Sequence, residues 1–258
     1  MFLDDENHFA PKQFFLSLFQ KKQIKFMLLF EIFPKNISTY GNEMDNLFWL
    51  ITAITGLAFV ISLFILLYPL VKYRANKVNR ATYISGDRKK HFKWVAIAMT
   101  CIAMSDFIIM YAEHGTWSKM EENPVNPDFH VAITGRQWNW IFTYPGKDGK
   151  LYTADDITID EQNSELHVPM NKNIVIDLKA RDVLHSFFVA EIRLKQDAIP
   201  GRTIKRWFNI TREGKYDLAC AEICGLLHSQ MRNFLVAEPQ EKFDAFMNAL
   251  IEKNQPKP

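Results

Sequence analysis

Hydrophobic and polar positions along the chain fall into two regimes that meet near residue 116. Residues 47–71 read LFWLITAITGLAFVISLFILLYPLV, 25 positions without a charge. A helix rising 1.5 Å per residue needs about 20 apolar residues to cross a hydrocarbon core of about 30 Å. The buried helix of a water-soluble protein is the alternative, but such helices rarely stay apolar all round for so long. The run therefore predicts a membrane span. Residues 92–112, FKWVAIAMTCIAMSDFIIMYA, predict a second, with Lys93 at its edge and Asp106 inside. A carboxylate at that depth costs a few kcal/mol unless it faces protein, so this helix is expected to pack on a partner.

From Trp117 the period shortens. Runs rich in β-branched and aromatic residues cover 129–146, 173–180, 183–192, 203–211, 215–225 and 231–239, punctuated by Pro145-Gly146, Pro169, Pro200-Gly201 and Gly214. Strands spaced this way predict an all-β antiparallel sandwich or Greek-key barrel of roughly 120 residues. Residues 241–253 then predict one short amphipathic helix. Before the first span, two apolar runs at 14–19 and 26–33 are interrupted by Lys21, Lys22 and Lys25, and neither is long enough to cross a bilayer. This stretch reads either as an interfacial amphipathic helix or as an over-extended reading frame starting at Met27 or Met44. The plan is thus an N-terminal segment 1–46, a two-helix transmembrane hairpin 47–116 and an extracytoplasmic β domain 117–258.

Composition narrows the function. In 258 residues, 31 Lys and Arg face 29 Asp and Glu, a net charge of +2, so no concentrated basic face suggests nucleic acid. An apolar fraction of 48% excludes a disordered chain. Three cysteines are too few for a disulfide scaffold, and an odd number suits reactive or metal-bound thiols. Charge placement is more telling than its sum. Lys72, Arg74, Lys77, Arg80, Arg88, Lys89, Lys90 and Lys93 crowd the link between the spans against Asp87 alone. Short basic loops stay on the cytoplasmic or matrix side, so both termini and the β domain are expected on the outer side.

The densest chemistry lies in CAEICGLLHSQM, which offers Cys220, Cys224, His228 and Met231 within twelve residues, while DVLHSF adds His185 from an earlier strand. Thiolate, imidazole and thioether are soft to borderline donors, and the thioether favours copper, since calcium and magnesium want oxygen. Two thiolates could each bridge two copper ions. Three other readings stay open on donor counting: a tight Cys220–Cys224 disulfide, a tetrahedral zinc site of Cys220, Cys224, His228 and His185, or plain core packing.

The donor spacing resembles a known family. CAEICGLLHSQM matches C-x-E-x-C-G-x-x-H-x-x-M, the pattern of the CuA centre in cytochrome c oxidase subunit II, and DVLHSF matches the segment that supplies the other histidine. GRQWNWIFTYPG resembles that family's aromatic stretch, and LKQDAIPGR its turn before the ligand loop. The resemblance implies a cupredoxin-like Greek-key domain holding two copper ions. Cys220 and Cys224 would bridge them. His185 and Met231 would complete one metal, with His228 and the backbone carbonyl of Glu222 on the other. The Glu222 side chain would face a magnesium or manganese ion at the interface with the catalytic subunit.

The same resemblance implies the electron-accepting subunit of a proton-pumping haem-copper oxidase. Its partners would be the catalytic subunit I and other oxidase subunits, membrane lipid, and a separate soluble cytochrome c as donor. Trp138 matches the family's electron-accepting tryptophan, exposed above the copper, whereas Trp140 reads better as core. Asp148, Asp155, Asp156, Asp160, Glu161 and Glu165 form a candidate acidic docking patch, although Thr143 stands where many relatives carry Glu. His91 stands where the family usually has a glutamate at the mouth of a proton channel, three residues before Trp94. The copper subunit of a nitric oxide reductase and a membrane-tethered copper-assembly protein are the alternative functions. The bacterial plasma membrane is expected in preference to the mitochondrial inner membrane.

Overall fold

The computed structural model describes residues 33–74, 83–86, 88–121 and 127–254, without the side chains of Lys90 and His91. The apolar run between Lys25 and Phe33, Met27, and the basic loop positions Lys77, Arg80 and Asp87 lie outside the described residues. Helix α1, Gly41–Lys72, carries the first span, and α2, Lys89–Glu121, the second, so both outrun the apolar segments that predicted them. Both are long and apolar enough to cross a membrane, and their apolar windows are unburied by the rest of the chain. Hydroxyls within them are satisfied locally, as hydrocarbon requires. Thr52 and Thr55 donate to the Phe48 and Ile51 carbonyls at 2.8 Å, and Thr100 and Ser105 bond back to Ala96 and Cys101.

Ten strands follow in two five-stranded sheets. The first runs in the order β3 (Ile157–Ile159), β2 (Asn139–Tyr144), β1 (Phe129–Arg136), β5 (Ile174–Ala180), β8 (Ile204–Phe208). The second runs β4 (Glu165–Pro169), β10 (Arg232–Glu238), β9 (Gly214–Cys220), β6 (His185–Val189), β7 (Leu194–Ala198). This is the expected cupredoxin-like sandwich, with one correction. The sheets are mixed, because β1 pairs with β5 and β10 with β4 in parallel. Such pairs join strands distant in sequence, as Greek-key crossovers do, and no run of side chains announces them.

The period-2 side chains Trp140, Phe142 and Tyr144 of β2 point inward and are fully buried with Phe187, Phe208 and Ile133. Helix α3, Gln240–Lys253, seats Phe243 against Phe129 at 4.9 Å and stacks Phe246 on the His167 ring at 4.1 Å.

The spans are fastened to the sandwich from both sides. Ile37 and Tyr40, just before α1, are buried in the core, and Ser38 bridges Ile210 beyond the end of β8. Asp45 receives a bidentate pair from Arg193 at 2.7 and 3.0 Å, both groups nearly buried. From α2, Glu121 pairs with Arg206, and the Lys119 carbonyl accepts the indole N–H of Trp207. All of these lie away from the end of β6 that carries His185. Removing one partner of a buried ion pair leaves the other uncompensated. Asp45→Ala should therefore cost about 3 kcal/mol of β-domain stability, read by thermal unfolding in detergent. A variant that melts with the parent would show Arg193 rehydrated at no cost.

Candidate metal centre

The second sheet gathers the site at one end. His185 opens β6 and Cys220 closes β9, and these strands pair through Phe187 and Cys220. The loop from Ala221 returns to β10 at Met231, and its two ends are tied by Cys220 N–H to the Met231 carbonyl at 3.1 Å. A short 3-10 turn, His228–Gln230, sets His228 beneath the loop.

Cys220, Cys224, His185 and Met231 are at most 8% exposed, whereas His228 and Glu222 are half-buried. The two sulfurs lie 3.8 Å apart, so the thiols are close without being bonded, and both are free. Around Cys220 stand His185 Nδ1 at 3.9 Å and the Glu222 carbonyl at 3.2 Å. Around Cys224 stand His228 Nδ1 at 3.6 Å and Met231 Sδ at 3.7 Å. Ligand atoms of His185, Cys220 and Cys224 all fall within 4.8 Å of one another, a group that can hold a metal ion.

Electrostatics follow from that crowding. Burial opposes ionisation of both thiols, but hydrogen bonds from His185 and from the Glu222 and Ser186 backbone bring Cys220 down to about 6. Burial and the adjacent Cys220 charge push Cys224 up to about 12. Two thiols this close in a poor dielectric share one negative charge. A cation would favour releasing the second proton as well.

His185 is held from three directions. Its Nε2 meets Asp182 Oδ1 at 2.8 Å, which leaves Nδ1 turned toward Cys220. Trp140 meets the ring edge to face at 6.0 Å. Gly135 lies alongside, where a Cβ would sit 2.9 Å from the imidazole Cγ. Although burial works against it, bonding to His185 and to the Gln137 and Val183 N–H groups keeps the Asp182 carboxyl below its usual range.

Comparison with known proteins gives this arrangement a family. Residues 129–238, the span that holds every one of these donors, match the family described as cytochrome c oxidase subunit II, periplasmic domain. Residues 129–238 are a periplasmic domain of the cytochrome c oxidase subunit II family. The chain is 28% identical over 232 residues to an alternative cytochrome c oxidase subunit 2 of Bradyrhizobium diazoefficiens, covering 82% of this chain and 81% of that one. Over 120 residues it is 42% identical to a cytochrome c oxidase subunit 2 of Thermostichus vulcanus, 46% of this chain but only 33% of the relative. The crystal structure of the periplasmic domain of subunit II from Bradyrhizobium japonicum is 28% identical, covers 52% of this chain and all of that one, and superposes with a TM-score of 0.46.

Other expected residues of the subunit II domain fall less neatly. Trp138 occupies the turn between β1 and β2, next to the metal loop, but it is half-buried and not exposed. Its indole N–H is buried and has no hydrogen-bond partner among the described residues. Trp140 is core, as expected.

The six acids do not form one patch. Asp148, Asp155 and Asp156 sit in the loop beyond Tyr144 and hold that loop together, accepting from the Lys150, Asp148 and Tyr152 N–H groups respectively. The six residues of β2, about 20 Å at 3.3 Å each, separate that loop from the Trp138 turn. Asp160 and Glu161 lie at the Trp138 end, where Asp160 pairs with Arg136 and the Glu161 carbonyl accepts from Asn139. Glu165 pairs with Lys215 on the other sheet. Thr143 shares a hydroxyl contact with Thr158. His91 falls in the first turn of α2, its side chain outside the described residues.

Sequence reasoning missed three residues. Asp182 could have been found from DVLH, a carboxylate three positions before a candidate ligand. Gln137 and the positive-φ Gly225 (φ +129) lie inside the two matched stretches, but their roles carried no signal, because their contacts depend on a turn and a loop meeting in space. Exposed Ile223 and Leu226 make the outer face of that loop apolar.

The thiol coupling is directly measurable. In the metal-free chain carrying Cys101→Ser, thiolate absorbance should rise by one equivalent near pH 6 and by a second only near pH 12. Two thiols titrating together near the ordinary thiol range would show that they do not share the pocket.

Proposed function

We propose that this chain is the electron-accepting subunit of a haem-copper oxidase, taking electrons from a separate soluble cytochrome c at a binuclear copper centre and passing them to the haem of a catalytic subunit. The observation that carries the reading is the thiol pair, with sulfurs 3.8 Å apart, an imidazole nitrogen beside each and a thioether against the second. The donors suit copper. They are soft sulfur and borderline nitrogen in a buried pocket, with no hard carboxylate oxygen among the closest atoms. A pair of copper ions bound there supplies one-electron chemistry with the charge spread over both metals.

The residues then divide the work. Cys220 and Cys224, deprotonated, each have lone pairs for two metals and hold the pair together. His185 and His228 offer Nδ1, and Met231 a weak thioether. A sulfur shared between two metals would belong to both, so nearest-sulfur distances do not assign the terminal ligands. The carbonyl of Glu222 turns inward, which leaves its carboxylate for a hard magnesium or manganese ion at the partner interface. Trp138, against the ligand loop, receives the electron. The basic link between the spans sets the hairpin in the membrane with the β domain on the outer side, where soluble carriers move. His91, in the first turn of α2, would take up protons for the catalytic subunit, to which the reading assigns oxygen reduction and pumping.

Copper titration of the detergent-solubilised full chain tests the centre. It should take up two copper ions with strong thiolate absorption. Met231→Leu should keep both with altered absorption, because a thioether contributes little binding energy. Cys224→Ser should lose the bridged pair. One zinc per chain, or a two-copper spectrum surviving Cys224→Ser, would sink the binuclear reading.

Docking is tested separately. Asp160→Asn with Glu161→Gln should raise the KM for a basic cytochrome c at low salt and matter little at high salt, because screening shortens the reach of surface charge. Asp155→Asn with Asp156→Asn, at the far end of β2, should leave KM unchanged. The reverse pattern would move the docking site to the Asp148–Asp156 loop.

A further inference from the structure

We propose that Gln137 is the positioning residue that holds Trp138 against the thiolate loop and so sets the rate of electron uptake, a role that rests on the copper reading above and deepens it. Gln137 is neither a donor to the metal group nor part of the core. Its solvent-exposed position would ordinarily mark a featureless turn residue. Its hydrogen bonds say otherwise. The backbone N–H donates to Asp182 Oδ2 at 2.7 Å, and Asp182 in turn holds His185. The side-chain Nε2–H donates to the carbonyl of Cys224, also at 2.7 Å. One residue thus ties the β1–β2 turn to both segments that carry the buried donors.

Trp138 packs one side of its ring on the core, but little hydrogen bonding of its own fixes it against the loop. Its indole N–H has no partner among the described residues, and its carbonyl accepts only a long 3.4 Å bond from Gln162. On the loop side the ring lies against Gly225, the residue after Cys224. A Cβ built on Gly225 would fall 3.1 Å from Trp138 Nε1 and 2.9 Å from Gln137 Nε2. The missing side chain therefore makes room for the indole and for the Gln137 amide together. Without the bond to Cys224, the turn can lift from the loop. Electron transfer between fixed groups falls steeply with the gap, and small displacements of reacting partners cost rate out of proportion to the energy involved. The same bond polarises the peptide of Cys224, next to its thiol. Polarising that peptide would draw electron density from a thiolate ligand, so losing the bond should lower the reduction potential.

Gln137→Leu keeps the bulk and removes the donor. The test uses the copper-loaded full chain in detergent, with reduced cytochrome c and a small inorganic reductant as two probes. The unmodified chain is first checked for two copper ions. Failure there removes the functional reading itself, and this inference with it. Given a loaded chain, Gln137→Leu should keep its copper and its rate with the inorganic reductant. It should accept electrons from cytochrome c roughly tenfold more slowly, a fraction of the hundredfold that a 1 Å misplacement can cost, and its potential should shift downward.

A double-mutant cycle with Trp138→Leu decides whether the two residues act as one. The double variant should be no slower than Trp138→Leu alone. Additive losses, an unchanged rate from cytochrome c, or loss of copper in Gln137→Leu would each overturn the positioning role while leaving the copper reading in place.

Discussion

Two thiols held 3.8 Å apart, out of water, resist both carrying a negative charge unless a cation lies beside them, and the surrounding domain is organised around that constraint. The pairing of β6, β9 and β10 brings Cys220, His185 and Met231 to one sheet end, and a short 3-10 turn adds His228. The metal-free pocket therefore keeps one proton too many for two thiolates and one too few for two ordinary thiols. A bound cation would resolve that tension, and sulfur donors suit soft or borderline metals.

Much of this was readable in the sequence because it was local. The charge-free run 47–71, the alternation of Trp140, Phe142 and Tyr144, and the four-residue spacing of Cys220, Cys224 and His228 each lie within a few residues. The strands that went unseen were short or atypical. Strand β3 has three residues, and β7, Leu194–Ala198, carries Lys195, Gln196 and Asp197 in a row. The parallel pairs were invisible for another reason, since pairing between distant strands leaves no mark on either strand alone.

The acidic residues show the opposite error. Asp148 to Glu165 are neighbours in sequence, but a strand and its return separate them in space, so proximity along the chain was mistaken for a surface. Gln137, Asp182 and Gly225 form the complementary case. Separated by up to 88 positions, they meet around one imidazole and one carbonyl. Their bonds are made by side chains of ordinary type, and only the closed sandwich reveals what they hold.

The stretch from Asn36 to Tyr40 gives the domain a dependence on the chain that precedes its first span. Ser38 bridges Ile210, Thr211 N–H donates to the Ile37 carbonyl at 2.7 Å, and Tyr40 packs edge to face on Trp207. Strand β8 is the rim of its sheet, and this stretch pairs with residues 209–211 just beyond it. A soluble domain cut free near Trp117 would keep every candidate ligand and lose that border. The backbone at 209–211 would then offer unpaired amides and carbonyls to the next molecule, and self-association, not loss of metal affinity, would be the first thing such a fragment displayed.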